Sequence, residues 1–236
     1  MASTSTKLRD PAALAGPVIG ASFVAGLGGG MAIANSPYPR PGSKPAEIRQ
    51  YFGESAPAAR LSATGQAIST VALVRFTESV VRLAGRAGPG ARALQVAAAA
   101  GGAVAAASLA TSAACAVALT GRRKDEDDSA MNVHRLAFAA GGPVHGAGFG
   151  LLVGALGVAG LRTGELPRPV AIAGLVSAAS GMLSPLYFVT KPAAWLIPAG
   201  RFSGLVVSGI AGARLSGIAG ARHAPDEVAH ETRSMR

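Results

Sequence analysis

The stretch LQVAAAAGGAVAAASLATSAACAVALT, from Leu94 to Thr120, is 27 residues long and contains no charged residue. A bilayer core about 30 Å thick requires roughly 20 mostly apolar residues of α-helix, which rises about 1.5 Å per residue. A second uncharged stretch runs from Leu136 to Leu161. Two such segments in one chain predict an integral membrane protein with α-helical spans.

The composition of the 236-residue chain agrees with this prediction. Half of the residues are hydrophobic, only 14% are charged, and the mean hydropathy is +0.37. Ordinary soluble domains are about 25% charged, so the chain lacks the charge of a soluble surface. Its hydropathy also excludes a disordered glycine-rich protein, because disorder requires low hydrophobicity.

Six apolar windows meet or approach the length of a membrane span. They predict an all-α polytopic transmembrane bundle of about six spans, preceded by residues 1–11 and followed by a tail, 214–236. The second window is the weakest because it carries Arg75, Glu78 and Arg82. The windows are 12–34, 61–83, 94–120, 136–161, 169–189 and 193–213.

The first window has an alternative interpretation as a cleaved signal peptide. Lys7 and Arg9 precede an apolar run that ends Ala32-Ile33-Ala34, the small-x-small form of a signal-peptidase site. The run is about 23 residues long, which exceeds an ordinary signal core and favours a span. Cleavage would leave five spans.

The basic residues predict the orientation of the spans. With the N-terminus in the cytoplasm, eleven Lys and Arg residues fall on inside segments and eight on outside segments. This excess favours an orientation with both termini in the cytoplasm. The net charge of +10 lies in the gaps between the windows instead of forming one stripe, which argues against nucleic acid as a partner. The single Cys115 excludes a disulfide framework within the chain and a cysteine-based metal site.

Two outside loops have features of their own. In the first, Ser43 is a candidate helix cap before Pro45, and Ile48, Tyr51 and Phe52 share one face of the helix that follows. We expect this helix to lie on the membrane surface with its aromatic rings at headgroup level, as a structural loop or as a lid over an external cavity. In the second loop, the four adjacent carboxylates from Asp125 to Asp128 could bind a divalent cation, since such ions prefer oxygen ligands. The alternative is a solvated connector, because three cations directly precede these carboxylates.

Four ionisable residues within the windows are the candidate functional residues: Arg75, Glu78, His145 and Arg201. A charged group inside the bilayer is costly unless it is paired or hydrated. Arg75 and Glu78 are three residues apart on one helix and are expected to pair. His145 and Arg201 each lie about 12–14 Å from the outer ends of their spans, where they could share a polar cavity. Arg201 has no acidic residue at its depth, which makes it the first candidate for contact with an anionic ligand.

His145 has two interpretations of its own. It follows Pro143 and could carry protons, because an imidazole titrates near neutral pH. The alternative is a structural histidine that bonds a carbonyl freed at the kink.

Glycines at every fourth position of the fourth window predict a flat helix-packing face. These glycines are Gly142, Gly146, Gly150 and Gly154. The first window has similar pairs, Gly16 with Gly20 and Gly26 with Gly30. We therefore expect the first and fourth spans at the packing centre.

The turn Leu161-Arg162-Thr163-Gly164-Glu165-Leu166-Pro167-Arg168-Pro169 and the segment Ala46-Glu47-Ile48-Arg49-Gln50-Tyr51-Phe52 carry a family resemblance. The chain resembles a family of actinobacterial six-span integral membrane proteins of unknown function. The resemblance covers most of residues 12–213, and it implies the six-span layout alone. It transfers no activity and no functional residue.

No motif in the sequence fixes a reaction or a substrate. We expect a non-catalytic accessory, scaffold or lipid-interacting component whose partners are membrane lipids, other membrane proteins or a second copy. The alternative is a small carrier or permease for an anionic or amphipathic molecule, which would use Arg201, His145 and Arg75. A membrane enzyme acting on lipid is a third class, with Asp125–Asp128 and His134 as its candidate cluster. No cofactor or metal motif is present in the sequence.

Overall fold

The structure is a computed structural model that describes residues 10–121 and 127–218. The described chain is all-α and contains no strand in these two ranges. The cations and the first acidic residues of the second outside loop, and the charged tail from Ala219 onward, lie outside the described residues.

Eight α-helices form the described chain. The first four are α1 (Ala15–Ile33), α2 (Pro45–Glu54), α3 (Ala56–Gly85) and α4 (Ala91–Leu119). The last four are α5 (Asp127–Ala139), α6 (His145–Thr163), α7 (Arg168–Leu183) and α8 (Leu196–Leu215). A π-helical turn, Ala140–Val144, joins α5 to α6 without a break. Short 3-10 turns precede α1, follow α7 and precede α8.

Glycines in the left-handed conformation lie in the turns that follow two of the long helices. The turn between α3 and α4 has Gly88 at φ 73° and Gly90 at φ 79°, and α6 stops at Gly164 with φ 69°. Side chains with a Cβ rarely adopt these angles, so glycine is the residue that permits such tight reversals. Pro169 then lies in the first turn of α7, where proline is favoured because an N–H there would have no partner within the helix.

Five helical segments are long and apolar enough to cross a membrane. They are Pro11–Ile33, Ala91–Leu119, Asp128–Thr163, Arg168–Phe188 and Lys191–Leu215. They correspond to five of the six windows, and the chain is a multi-pass helical membrane protein. The remaining window lies in α3, which is not among the five.

Although it is less apolar, α3 traverses the bundle in the same way as the other long helices. It has 30 residues and is about 45 Å long. At its start, Asn35 donates to the hydroxyl of Ser55 at 2.9 Å and to the carbonyl of Glu54 at 2.9 Å. Near its other end, Arg82 and Arg86 contact Asp10 and Glu165. We name these the α2 end and the Asp10 end of the bundle.

The fourth span, not the first, is the centre of packing. Within its most apolar window, the α5–α6 segment is 67% buried, whereas the first span is 28% buried. Helix α6 packs against α3, α4, α7 and α8, and α1 packs mainly against α3 and α8. The expectation that both spans would be central is therefore wrong for α1, whose glycines contact α3 and α8.

The glycines of the fourth span lie mainly against α7. A Cβ atom added to Gly150 would be 2.9 Å from the carbonyl oxygen of Ala178 and 2.9 Å from the amide nitrogen of Met182. One added to Gly146 would be 2.6 Å from the hydroxyl of Ser184, and one added to Gly154 would be 3.2 Å from Ala178. At Gly142 the nearest atoms are 3.7 Å away, so this glycine is not required by close packing.

Helix α2 exists where the sequence predicted a short helix, but its aromatic face points inward. Ile48, Tyr51 and Phe52 are buried in a cluster with alanines of α3, α4 and α5. These rings therefore contact the apolar ends of the neighbouring helices instead of lipid, and their position at headgroup level stays a prediction. Ser43 is also not the cap: the N-cap residue is Lys44, which makes no side-chain capping bond.

Candidate functional site

A stripe of charged residues runs along the last three turns of α3. Arg75, Glu78, Arg82 and Arg86 follow one another at intervals of three or four residues, which places them on one helix face. The opposite face of α3 is fully buried in the core through residues such as Leu73, Phe76 and Val80. Burial of the apolar face therefore fixes the direction in which the charged stripe points.

The stripe forms one wall of an open groove at the Asp10 end. The groove has a volume of about 780 Å³ and lies between α3 and the 3-10 turn that precedes α1. Its charged lining consists of three arginines and two carboxylates: Arg75, Arg82, Arg86, Asp10 and Glu78. The lining thus carries one more positive than negative charge. We call it the α1–α3 groove.

Ion pairs occupy part of the groove. Arg82 holds Asp10 with both ends of its guanidinium, at 2.8 Å from Nη2 to Oδ1 and 3.2 Å from Nε to Oδ2. Arg75 Nη1 lies 2.9 Å from Glu78 Oε2, as the sequence predicted for this pair. Arg86 lies 3.6 Å from Glu165, which is longer than a hydrogen bond.

The Asp10–Arg82 pair is the tightest of these contacts. Burial alone would raise the pKa of Asp10, but hydrogen bonds from Arg82 and Ser79, the charge of Arg82 and the backbone N–H of Ala12 together hold that pKa below its usual value of 3.8. The backbone N–H of Asp10 also donates to the carbonyl of Leu215 at 3.1 Å. Asp10 therefore ties the beginning of the described chain to α3 and α8 in its charged form.

In a six-span bundle, Arg75 lies at a depth where exposure of a charge is costly. It precedes Arg86 by eleven residues, or about 17 Å along the helix, and its side chain is 60% exposed. A charged group this far into a bilayer is stable only when it is paired, hydrated or covered by a polar ligand. Glu78 supplies one partner, and the groove gives water or a ligand access to the rest.

Apolar side chains flank the groove on both helices. Leu14 and Val18 are exposed on the α1 side, and Val71 and Val74 are exposed on α3. These exposed side chains lie on the same two segments as the groove lining, and their surfaces suit contact with lipid acyl chains.

Arg201 and His145, the other two predicted residues, lie outside this groove. Arg201 on α8 donates to the carbonyl of Gly141 in the π-helical turn, and its guanidinium lies 5.0 Å from the ring centre of Phe23 on α1. In a regular α-helix, the backbone N–H of His145 would donate to the carbonyl of Gly141. Here it donates to the carbonyls of Ala140 and Gly142. The π turn thus leaves the Gly141 carbonyl available to the arginine.

His145 is a buried residue with a defined partner. Its Nδ1 lies 3.0 Å from the carbonyl oxygen of Ala105 on α4, and its ring stacks on that of Phe149 at 5.6 Å. The two predicted residues therefore flank the same π turn, but Arg201 reaches toward α1 and His145 toward α4. The candidates fall into two places, the α1–α3 groove and this turn.

Sequence reasoning missed Asp10 and Arg86 as members of the site. Asp10 is separated from Arg82 by 72 positions, so no local spacing indicates their contact. The only signal in the sequence was the position of the two charges. Asp10 directly precedes the first apolar window and Arg86 follows the second, and both fall on segments predicted to be cytoplasmic.

Of the cluster considered for a lipid enzyme, Asp125 and Glu126 lie outside the described residues, so the cluster itself stays a prediction. His134 is 1% exposed and lies within an aromatic group, 5.8 Å from the ring of Tyr38 and 6.2 Å from that of Phe52. In residues 10–121 and 127–218, no three His, Cys, Asp or Glu side chains are grouped as metal ligands. Comparison with known proteins finds no matching family model, no matching curated protein and no matching solved structure.

Proposed function

We propose that this chain is a non-catalytic accessory protein of the bacterial inner membrane, with both termini in the cytoplasm, that binds anionic phospholipid in the α1–α3 groove. The observation that carries this proposal is the excess of arginine over carboxylate in the lining of the open α1–α3 groove. Lipid binding and scaffolding are compatible, because a bound lipid fills the space between the protein and its membrane partners.

Two arginines of the groove have N–H donors that their ion pairs do not use, which supports a phosphate ligand. Arg82 is committed to Asp10, but Arg75 bonds Glu78 through a single nitrogen and Arg86 only approaches Glu165. A guanidinium has five N–H donors in a planar fork that matches two oxygens of a phosphate. Arg75 and Arg86 therefore retain donors for a headgroup.

The surroundings of the groove favour a lipid over a soluble anion. Exposed Leu14 and Val18 on one side and Val71 on the other provide apolar contact for acyl chains next to the charged lining. In the proposed orientation the groove faces the cytoplasmic leaflet, where anionic lipids attract basic residues.

Lipid selectivity tests this proposal. The full chain, in nanodiscs or mild detergent, is titrated with phosphatidylglycerol and with phosphatidylcholine, and bound lipid is counted by native mass spectrometry. We expect the wild type to prefer phosphatidylglycerol and Arg75→Gln/Arg86→Gln to lose about tenfold in affinity, as expected when charged hydrogen bonds are removed.

The control is Arg92→Gln, which removes an exposed arginine at the start of α4 that does not line the groove. Arg86→Gln alone is a second probe, because its loose contact with Glu165 contributes little to folding. A wild type without preference between the two lipids would contradict the proposal, as would equal losses in the groove variant and in the control.

A carrier of small anionic or amphipathic molecules is the second candidate. The observation that favours it is Arg201, whose Nε is buried without a hydrogen-bond partner and which has no carboxylate within 4.0 Å among the described residues. Uptake of such a molecule into proteoliposomes that contain the protein would favour this candidate over lipid binding alone.

A further inference from the structure

A second basic cavity lies at the α2 end, opposite the α1–α3 groove. It has a volume of about 220 Å³ and lies between the start of α2 and the side of α5. The residues that matter in its wall are Ser43, Lys44, Ile48, Met131, His134 and Arg135. We call it the α2–α5 cavity.

The charges around this cavity have one sign. Lys44 and Arg135 line it together with His134, and no carboxylate is among its lining residues. The nearest acid of α2, Glu47, lines a separate cavity beside Tyr38. Among the described residues, this cavity has no internal counterion, and its two exposed cations favour an anion from outside the chain.

His134 provides an independent indication of a ligand. The residue is 1% exposed, and among the described residues neither ring nitrogen makes a well-formed hydrogen bond, although the backbone of Arg40 interacts with the imidazole. Buried polar groups are almost always satisfied by protein or solvent, so an orphaned imidazole in a cavity wall marks a missing partner. An oxyanion supplies acceptors for an imidazole N–H.

The start of α2 adds to the attraction for an anion. Its N-cap residue, Lys44, makes no side-chain capping bond, and the Ser43 hydroxyl accepts from the N–H of Arg40 at 3.2 Å instead of capping the helix. The first turn of a helix carries a partial positive charge that attracts anions, although in α2 Pro45 has no N–H and the N–H of Glu47 donates to the carbonyl of Lys44. Helix terminus, two cations and an orphaned imidazole therefore converge on one space.

We infer that the α2–α5 cavity binds a single oxyanion of the size of phosphate, held by Lys44, Arg135 and His134. The volume admits one such group and excludes a complete lipid molecule. The phosphate belongs either to a free solute or to the headgroup of a lipid in the adjacent leaflet, whose acyl chains would remain in the membrane. This site is independent of the lipid groove proposed above.

Binding of inorganic phosphate tests the inference. The full chain in uncharged detergent is titrated with phosphate at constant ionic strength, with chloride as the balancing anion, and binding is followed by calorimetry and by broadening of the ³¹P resonance. We expect saturable binding by the wild type and a loss of at least about tenfold in affinity for Lys44→Gln and Arg135→Gln. Lys191→Gln removes an exposed lysine outside the cavity and is expected to bind as the wild type does.

A second arm identifies the source of the phosphate. Short-chain phosphatidic acid replaces inorganic phosphate in the same titration. Binding of both compounds supports a free solute, and binding of the phosphatidic acid alone supports a headgroup, provided that Lys44→Gln weakens it. His134→Phe keeps a ring in the aromatic group, and loss of binding by a folded His134→Phe protein supports contact with the imidazole.

Two results would overturn the inference. One is the absence of saturable binding of either compound by the wild type, and the other is binding that Lys44→Gln and Arg135→Gln leave unchanged. Arg75→Gln/Arg86→Gln separates this site from the α1–α3 groove, because that variant is expected to bind inorganic phosphate with unchanged affinity.

Discussion

At the scale of single residues, the role of Arg201 is defined by the carbonyl it contacts. The π-helical turn leaves the Gly141 carbonyl without the amide partner of a regular helix, and Arg201 supplies the donor from α8. The same guanidinium lies 5.0 Å from the centre of the Phe23 ring on α1. Arg201 therefore connects α1, the fourth span and α8 through one side chain.

Replacing Arg201 separates its structural role from a role in transport. We expect Arg201→Leu to lower the free energy of unfolding by about 1–3 kcal/mol, because a buried carbonyl loses its donor. Arg201→Lys keeps the charge and is expected to lose less. Thermal unfolding in detergent measures both variants, with Lys191→Gln as the control. Unchanged stability of Arg201→Leu would contradict the structural role, and lost uptake in such a stable protein would favour the carrier.

At the scale of helices, the contact between α6 and α7 depends on particular glycines. A Cβ at Gly150 would meet backbone atoms of α7 at 2.9 Å, and backbone atoms can move away only if the two helices separate. A Cβ at Gly142 would meet only the ends of the Phe138 and Ile197 side chains, at 3.7–3.8 Å. The two positions looked equivalent in the sequence because they belong to the same four-residue repeat.

Alanine substitution at these two positions tests the packing. We expect Gly150→Ala to destabilise the protein by about 1–3 kcal/mol through overpacking. We expect Gly142→Ala to be neutral or slightly stabilising, because alanine favours the helix more than glycine does. Thermal unfolding of the two variants side by side measures the difference. Equal effects of both substitutions would show that α6 and α7 do not approach as closely as described.

The helices also show which features the sequence could predict. The apolar windows located five spans, because length and hydropathy act locally along the chain. The spacing of Ile48, Tyr51 and Phe52 identified their shared face but not its direction, which depends on the apolar ends of α4 and α5 beneath it. Contacts between distant positions, such as Asp10 with Arg82, follow from how the helices pack and were not predicted.

At the scale of the whole molecule, the described chain passes six times between the α2 end and the Asp10 end. The six long segments are α1, α3, α4, α5–α6, α7 and α8. Asn35 and Ser55 meet at the α2 end, whereas Asp10, Arg82 and Arg86 meet at the Asp10 end. The groove and the α2–α5 cavity therefore lie at opposite ends, and in the proposed orientation they face the cytoplasm and the outside. This arrangement requires α3 to cross the membrane despite its charged stripe.

The crossing of α3 is the central claim, since it determines both the number of spans and the side of each site. Single cysteines are introduced in a Cys115→Ala background and labelled with a membrane-impermeant maleimide before and after permeabilisation. The exposed positions are Arg40 and Lys191 at the α2 end, and Arg92 and Arg168 at the Asp10 end. We expect cysteines at 40 and 191 to be labelled in intact cells, and those at 92 and 168 only after permeabilisation. Labelling of positions 40 and 92 from the same side would contradict the six-span bundle.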